Sequence, residues 1–219
     1  MSTPAESAQE LQIGAEEEFH VVDLETRRST PEVDALLAGL EGEEFAPELQ
    51  RSLVETNTPV CDTLDDLRAH LHRLRAQLTG AAEPHGLGVV AAGTVPLVDL
   101  DGGDISAGTR FAHMQHEYQV LVNEQHICGA QIHVDVPDRD EAVQVVRRVA
   151  PHLPTLLAIS ASSPYWRGRD TGYASYRELI WARWPTAGPP PATVETGAEY
   201  DAMIKDLIAS GTISDPGMV

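Results

Sequence analysis

The chain has 219 residues, 42% of them hydrophobic, and carries a net charge of −19 from 15 basic and 34 acidic residues. That length allows one large domain or two small ones, with enough apolar content for a real core. The charge argues against nucleic-acid and anionic-membrane partners, because no basic face could dominate phosphate contacts. It leaves nucleotides open, since metal ions bridge acidic sites to phosphates.

Residues 1–10 lack the basic-then-apolar order of a signal peptide and read as a short disordered lead. An apolar stretch from Leu11 to Val22 follows, interrupted by Glu16, Glu17 and Glu18. Its flanks read as a β-strand, although acidic residues are depleted in strands. Alternation puts Glu16 and Glu18 on one face and Glu17 on the other, pointing away and free to vary. Two carboxylates side by side need a counter-charge, and hard Mg²⁺ or Mn²⁺ is the simplest one. A solvated edge strand is the competing explanation.

Asp23 to Thr26 is a turn. Pro31 to Leu40 is a short helix, and Leu49 to Thr58 a second strand ended by Pro59. Asp62 or Thr63 caps the clearest helix, whose Leu64, Leu67, Leu71, Leu74 and Leu78 form one apolar stripe. Gly86 to Gly93 reads as a buried strand, 94–109 as loop and Arg110 to Glu124 as helix. Ile127 to Val136 alternates like a strand, and Asp138 caps a helix through Val149. Another helix follows Pro151 or Pro154 and runs to Ser162. Ser163 to Gly172 is loop, Tyr173 to Trp184 helix and 185–193 rigid coil. Thr196 and Glu199 form a capping box for a last helix ending near Gly211. Hairpin signals such as Asn-Gly are absent, so the order implies an α+β or α/β domain. The apolar runs are too short to span a bilayer. Cys61 and Cys128 are too few for a disulfide framework, so a reduced, cytoplasmic protein is expected.

Four places put metal-competent or anion-binding residues in or beside strands: Glu16/Glu18, then Glu48 with Glu55 and Asn57, then Gln131/His133/Asp135, and finally 167–183. The last contains Arg167, Arg169, Tyr173, Tyr176, Arg177 and Arg183. Each alone is weak. Together they suggest a sheet face carrying carboxylates and an imidazole beside a cluster of cations and aromatics. That donor set suits Mg²⁺ or Mn²⁺ better than zinc. Metal plus arginine is the equipment of phosphoryl transfer, where positioning and charge neutralisation do most of the catalysis.

Several segments then carry a resemblance: Gly14-Ala15-Glu16-Glu17-Glu18-Phe19, Val54-Glu55-Thr56-Asn57-Thr58-Pro59, Ile132-His133-Val134, Gly168-Arg169-Asp170-Thr171-Gly172-Tyr173 and Arg183-Trp184-Pro185. In this order they resemble the carboxylate–amine ligases of the glutamate–cysteine ligase type 2 family, over nearly the whole chain. The resemblance implies a glutamine-synthetase-like α+β fold, an antiparallel or mixed sheet with helices packed on one face. It implies ATP-dependent amide formation from glutamate and an amine such as cysteine, through an acyl-phosphate, with Mg²⁺ (or Mn²⁺). Carried over, Glu16, Glu18, Glu48, Glu55 and His133 look like metal ligands. Tyr176 and Arg177 look catalytic, and Arg169, Tyr173 and Arg183 look like residues of the nucleotide or amino-acid pocket.

Two departures stand out: Val95 and Gln131 occupy positions where the family usually has histidine. The resemblance also implies further strands beyond Met218, so residues 11–219 are expected to form a single incomplete domain. Its open sheet edge would favour a homo-oligomer or a completing second chain. Three readings follow: a ligase, a non-catalytic or split-enzyme subunit binding a partner through that edge, and a metal-dependent hydrolase. The last is disfavoured by the absence of a two-histidine zinc motif.

Overall fold

The computed structural model describes residues 11–98, 100, 104–188 and 193–218. The expected disordered lead at 1–10 and part of the coil at 185–193 lie outside the described residues. In chain order the elements are β1 (Ile13–Asp23), α1 (Val33–Leu37), β2 (Phe45–Pro47), β3 (Leu53–Asn57), α2 (Leu64–Ala82) and β4 (Leu87–Val90). There follow α3 (Thr109–Tyr118), α4 (Val120–Asn123), β5 (Ala130–Val134), α5 (Arg139–Val149) and α6 (Leu153–Ser160). The last are β6 (Tyr165–Trp166), β7 (Arg169–Asp170), α7 (Tyr176–Trp181) and α8 (Gly197–Ala209).

β1 is the axis of the main sheet. One edge pairs with β3, and β3 pairs in turn with β2. The other edge pairs with β5 over its first half and β4 over its second. All these pairings are antiparallel. The fold is thus α+β, as the resemblance implied.

Alternation along β1 decides which face becomes core. Phe19 and Val21 point with Val54 toward α1 and α2, meeting Val33, Leu36, Leu74 and Leu78 in the largest apolar cluster. Leu74 and Leu78 are fully buried, and burying a leucine contributes about 1.5–3 kcal/mol. Leu67 is buried as the stripe predicted, but Leu64, in the first turn, is exposed. Thr63, one of the two expected caps, starts this helix by accepting the Asp66 N–H at 3.1 Å. The capping box of Thr196 and Glu199 forms as expected.

Four expectations shift. The second strand shrinks to β3, a short β2 outside the expected strand pairs with it, and Glu48 falls in the turn between them, off the strand that carries Glu55. The helix expected over 110–124 breaks at Gln119, whose φ of 50° ends α3 and separates it from α4. The expected loop 163–172 contains a hairpin, with Trp166 paired to Arg169. Helix α7 is shorter than expected, and Tyr173 precedes it.

The far side of the molecule is built differently. All five residues of β5 are exposed, including Ile132 and Val134. Helix α6 buries none of its residues, although its sequence is almost wholly apolar. A helix apolar all round is normally an interior helix.

Candidate active site

The sheet face opposite α2 opens into a cavity of about 1100 Å³. Its floor follows from strand register. Glu18 stands directly opposite Glu55, and Glu16 lies between Asn57 on one neighbour and Gln131 on the other. Like charges directly opposite each other destabilise a sheet, so this register needs a reason beyond folding. Glu48 reaches the cavity from the β2–β3 turn, and His133 lines it from β5. All five expected metal ligands therefore face one cavity.

Each carboxylate has a distinct environment. One oxygen of Glu18 accepts the Gly129 N–H at 2.8 Å. Burial raises the Glu18 pKa, the Gly129 hydrogen bond and Arg177 oppose that, and the Glu55 and Glu16 charges add to it. Burial, reinforced by Glu18 and Glu55, pushes Glu48 up to about 7, against the Leu49 N–H and Arg110. Glu55 accepts from the Asn57 side-chain amide at 2.9 Å. Glu16 lies 3.2 Å from His133 Nε2. The floor thus holds more negative charge than its own cations balance.

Arg177 is the cation fixed in this cavity. Its Nε donates to the Cys128 carbonyl at 2.6 Å, and its backbone N–H donates to Ser163 Oγ at 3.1 Å. The guanidinium lies 5.7 Å from the Trp181 ring. Two glycines permit this approach: a Cβ at Gly93 would sit 3.3 Å from Arg177 Cδ, and one at Gly129 3.2 Å from Nη2. The loop before β5 therefore orients Glu18 through its N–H and Arg177 through its carbonyl.

The remaining expected residues are placed elsewhere. Arg183 pairs with Glu124 and is not part of the cavity wall. Tyr173 is exposed and packs on Tyr176, ring centroids 6.2 Å apart. Tyr176 and Arg169 line a neighbouring groove. Val95 is buried with Val22 and Val98, while Gln131 lines the cavity. Sequence reasoning missed Arg110, Cys128, Gly129 and Trp181, which also line it. Only Arg110 carried a usable signal, as a basic residue opening a helix after a long loop. Glu17 points away as expected, but it is not free: Arg75 of α2 donates from Nε to it at 2.8 Å.

Among the described residues, no three His, Cys, Asp or Glu side chains are close enough to hold one ion by themselves. The donors still fit Mg²⁺, which is held by one or two carboxylates while waters and substrate phosphates fill the remaining positions. An acidic floor arranged in pairs matches that need; a closed protein cage does not.

Comparison with known proteins gives a consistent result. The profile of glutamate–cysteine ligase family 2 matches residues 12–219. A protein of Frankia alni provisionally named glutamate–cysteine ligase 2-3 is 53% identical over 212 residues, which is 97% of this chain and 25% of that protein. A Rhodococcus jostii protein of the same provisional name is 55% identical over 94% of this chain and 26% of its own length. For a Mycolicibacterium smegmatis relative, provisionally glutamate–cysteine ligase 2-2, the figures are 52% identity, 94% and 52%. The chain thus spans between a quarter and about half of these relatives. Among solved structures, a bifunctional glutathione synthetase of Pasteurella multocida superposes with a TM-score of 0.75 at 11% identity, covering 95% of this chain and 31% of that one. A glutamate–cysteine ligase of Francisella tularensis, solved with AMP, gives 0.60 at 12% identity, covering 91% and 47%. Both likenesses concern the fold. Among the described residues no helix is long and apolar enough to cross a membrane.

Proposed function

Because the chain belongs to glutamate–cysteine ligase family 2, we propose that its cavity is the acidic part of an ATP-dependent carboxylate–amine ligase site. One observation carries this reading: Glu16, Glu18, Glu48, Glu55 and His133 all line one cavity, with Arg177 fixed beside Glu18. A structural protein gains nothing from opposing Glu18 to Glu55.

In the proposed reaction the γ-carboxylate of glutamate attacks the γ-phosphorus of ATP. An acyl-phosphate forms and ADP leaves. The amine nitrogen, of cysteine or another amino acid, then attacks the acyl carbon. Inorganic phosphate departs, the nitrogen loses a proton and an amide remains. No protein nucleophile is needed. Glu16, Glu18, Glu48, Glu55 and His133 would hold Mg²⁺ (or Mn²⁺), which when bound neutralises charge on the phosphoryl group. Arg177 offers a fixed guanidinium to a carboxylate or phosphoryl oxygen. Met114, Trp181 and Trp184 give that cavity an apolar part of its wall. Arg169 and Tyr176, expected nearer the reacting groups, are assigned to the adjacent groove; Tyr173, packed on Tyr176, and Arg183, paired with Glu124, are given no role in the reaction.

A second reading, in which the chain works as one part of a split assembly, draws on β5 and α6. Their exposed apolar side chains, with the greater length of the relatives, fit a completing polypeptide that pairs with β5 and covers α6. A second copy of this chain is the other occupant.

One experiment addresses both readings. Amino-acid-dependent ADP release with Mg²⁺ is measured for this chain alone and mixed with the remaining segment of the Mycolicibacterium relative. Release in either sample supports the ligase. Silence in both, with no Mg·ATP binding by calorimetry, refutes it. Activity only in the mixture supports the split assembly.

A further inference from the structure

Alternation places His20 on the same face of β1 as Glu16 and Glu18, yet His20 is completely buried. Of the nine histidines in the chain, only His20 and His126 are buried. The proposed reaction uses neither.

Three observations give the pair a task. First, each imidazole is half satisfied. His20 Nε2 donates to the Ala92 carbonyl at 3.1 Å, which leaves Nδ1 as an acceptor with no partner. His126 Nδ1 meets Ser52 Oγ at 3.5 Å, and its Nε2 has no partner. A buried polar atom without a partner is costly, and internal water is the usual remedy. Second, such atoms concentrate here. Four of the five found among the described residues belong to His20, Gln50, Asn123 and His126. Gln50 Nε2 donates to the carbonyl of Val122, the neighbour of Asn123, at 2.6 Å. Ser52, which meets His126, precedes Leu53, the register partner of His20. Third, the pair holds the two segments that fix the charged groups of the cavity. Ala92 adjoins Gly93, whose carbonyl accepts the Cys128 N–H at 3.2 Å, and Thr94 forms a bridge with Ile127. The segment that His126 opens gives its Cys128 carbonyl to Arg177 and its Gly129 N–H to Glu18.

We infer that His20 and His126 are positioning residues: linked through buried water, they hold residues 92–94 and 126–129 against β1, and so aim the Gly129 N–H at Glu18 and the Cys128 carbonyl at Arg177. Water fits because it donates to His20 Nδ1 and serves His126 Nε2 in either tautomer. The purpose of this arrangement rests on the ligase reading, since Glu18 and Arg177 are groups of that site. Its test involves no turnover, so either reading can fail while the other stands.

The test is NMR of the full chain without nucleotide, in EDTA. In the parent, the ring nitrogen shifts of His20 should show the Nε2–H tautomer. Cross-relaxation should link water to ring protons of His20 or His126, and the Gly129 N–H should be protected from exchange. His126→Leu should speed Gly129 exchange at least about tenfold more than it speeds exchange at Leu74 and Leu78 of α2. His126→Gln, which keeps a donor and an acceptor, should return Gly129 to within about threefold of the parent. If His126→Leu does not fold, Ser52→Ala, which removes the partner of His126 Nδ1, takes its place with the same expectation. The inference is overturned if His20 carries its proton on Nδ1, if no water signal reaches either ring, or if Gly129 is unprotected in the parent. It is equally overturned if Gly129, Leu74 and Leu78 speed up together, or if His126→Gln behaves as His126→Leu does.

Discussion

Glu17 and Glu18 are adjacent on β1, yet the sheet gives them opposite surroundings. Glu17 faces the helical layer, where Arg75 of α2 neutralises it. Glu18 faces the cavity, opposite Glu55, with its charge opposed by burial and only partly answered by Gly129 and Arg177. One carboxylate ties a helix to the sheet; the other is kept at a cost to folding. The contrast teaches that an acidic run in a strand is two features interleaved, one for each face.

The sharpest way to break that contrast is Glu18→Gln. In whichever sample of the proposed assay releases ADP, the rate should fall by about 10²–10³-fold, since electrostatic groups at a reacting centre contribute on that scale. The same variant should not lower the melting temperature of this chain, because it removes a charge that burial disfavours. A variant that melts early yet keeps its activity would move Glu18 to the structural side.

The helical face is expected to show the reverse. Leu74→Ala removes a fully buried side chain from the largest core cluster and should cost about 2–5 kcal/mol in denaturant unfolding. Leu156→Ala on exposed α6 should stay within about 0.5 kcal/mol. A large loss at Leu156 in the isolated chain would show that something already covers this helix.

Acid should act through the layer beneath the cavity. Burial lowers His126 from 6.5 to about 4, and its Nδ1 lies 3.5 Å from Ser52 Oγ. The unfolded chain takes up this proton first. The stabilising contribution is therefore complete above pH 6.5 and is lost as pH falls from 6.5 to about 4. A shift from 6.5 to about 4 corresponds to on the order of 3 kcal/mol. Urea midpoints measured across that window should fall for the parent chain and fall less steeply for His126→Gln; parallel slopes would refute the assignment.

How much of this was legible in the sequence depends on what each feature rests on. Period-two alternation sorted Glu16, Glu17 and Glu18 correctly, because strand geometry alone decides it. The Thr63 and Thr196 caps were readable for the same local reason. The second strand was read as running from Leu49, directly after Glu48, because Leu49 and Leu53 gave no turn signal. The long-range pairing of Phe45 to Thr56 placed the turn at Glu48. The hairpin at Arg167-Gly168 was invisible because its first turn residue is not one that favours positive φ. The role of Gly129 could not be read locally: it is a backbone N–H aimed at a residue 111 positions away.

The smallest expected effect is at Glu17. The notion that this residue tolerates any change rests on its pointing away from the cavity, and that holds. Yet its side chain is mostly covered, and both Arg75 Nε and Nη2 donate to it. Arg75 is about half exposed, so solvent screens the pair, and a contribution below about 1 kcal/mol is expected. Glu17→Gln should therefore lower the unfolding free energy by a few tenths of a kcal/mol, with less loss in high salt. ADP release in the proposed assay should remain at the parent level. The double-mutant cycle with Arg75→Gln isolates the pair, and a coupling near zero would mean that α2 is held by Leu74 and Leu78 alone. A loss of activity in Glu17→Gln, with stability unchanged, would reverse the division between the two faces of β1.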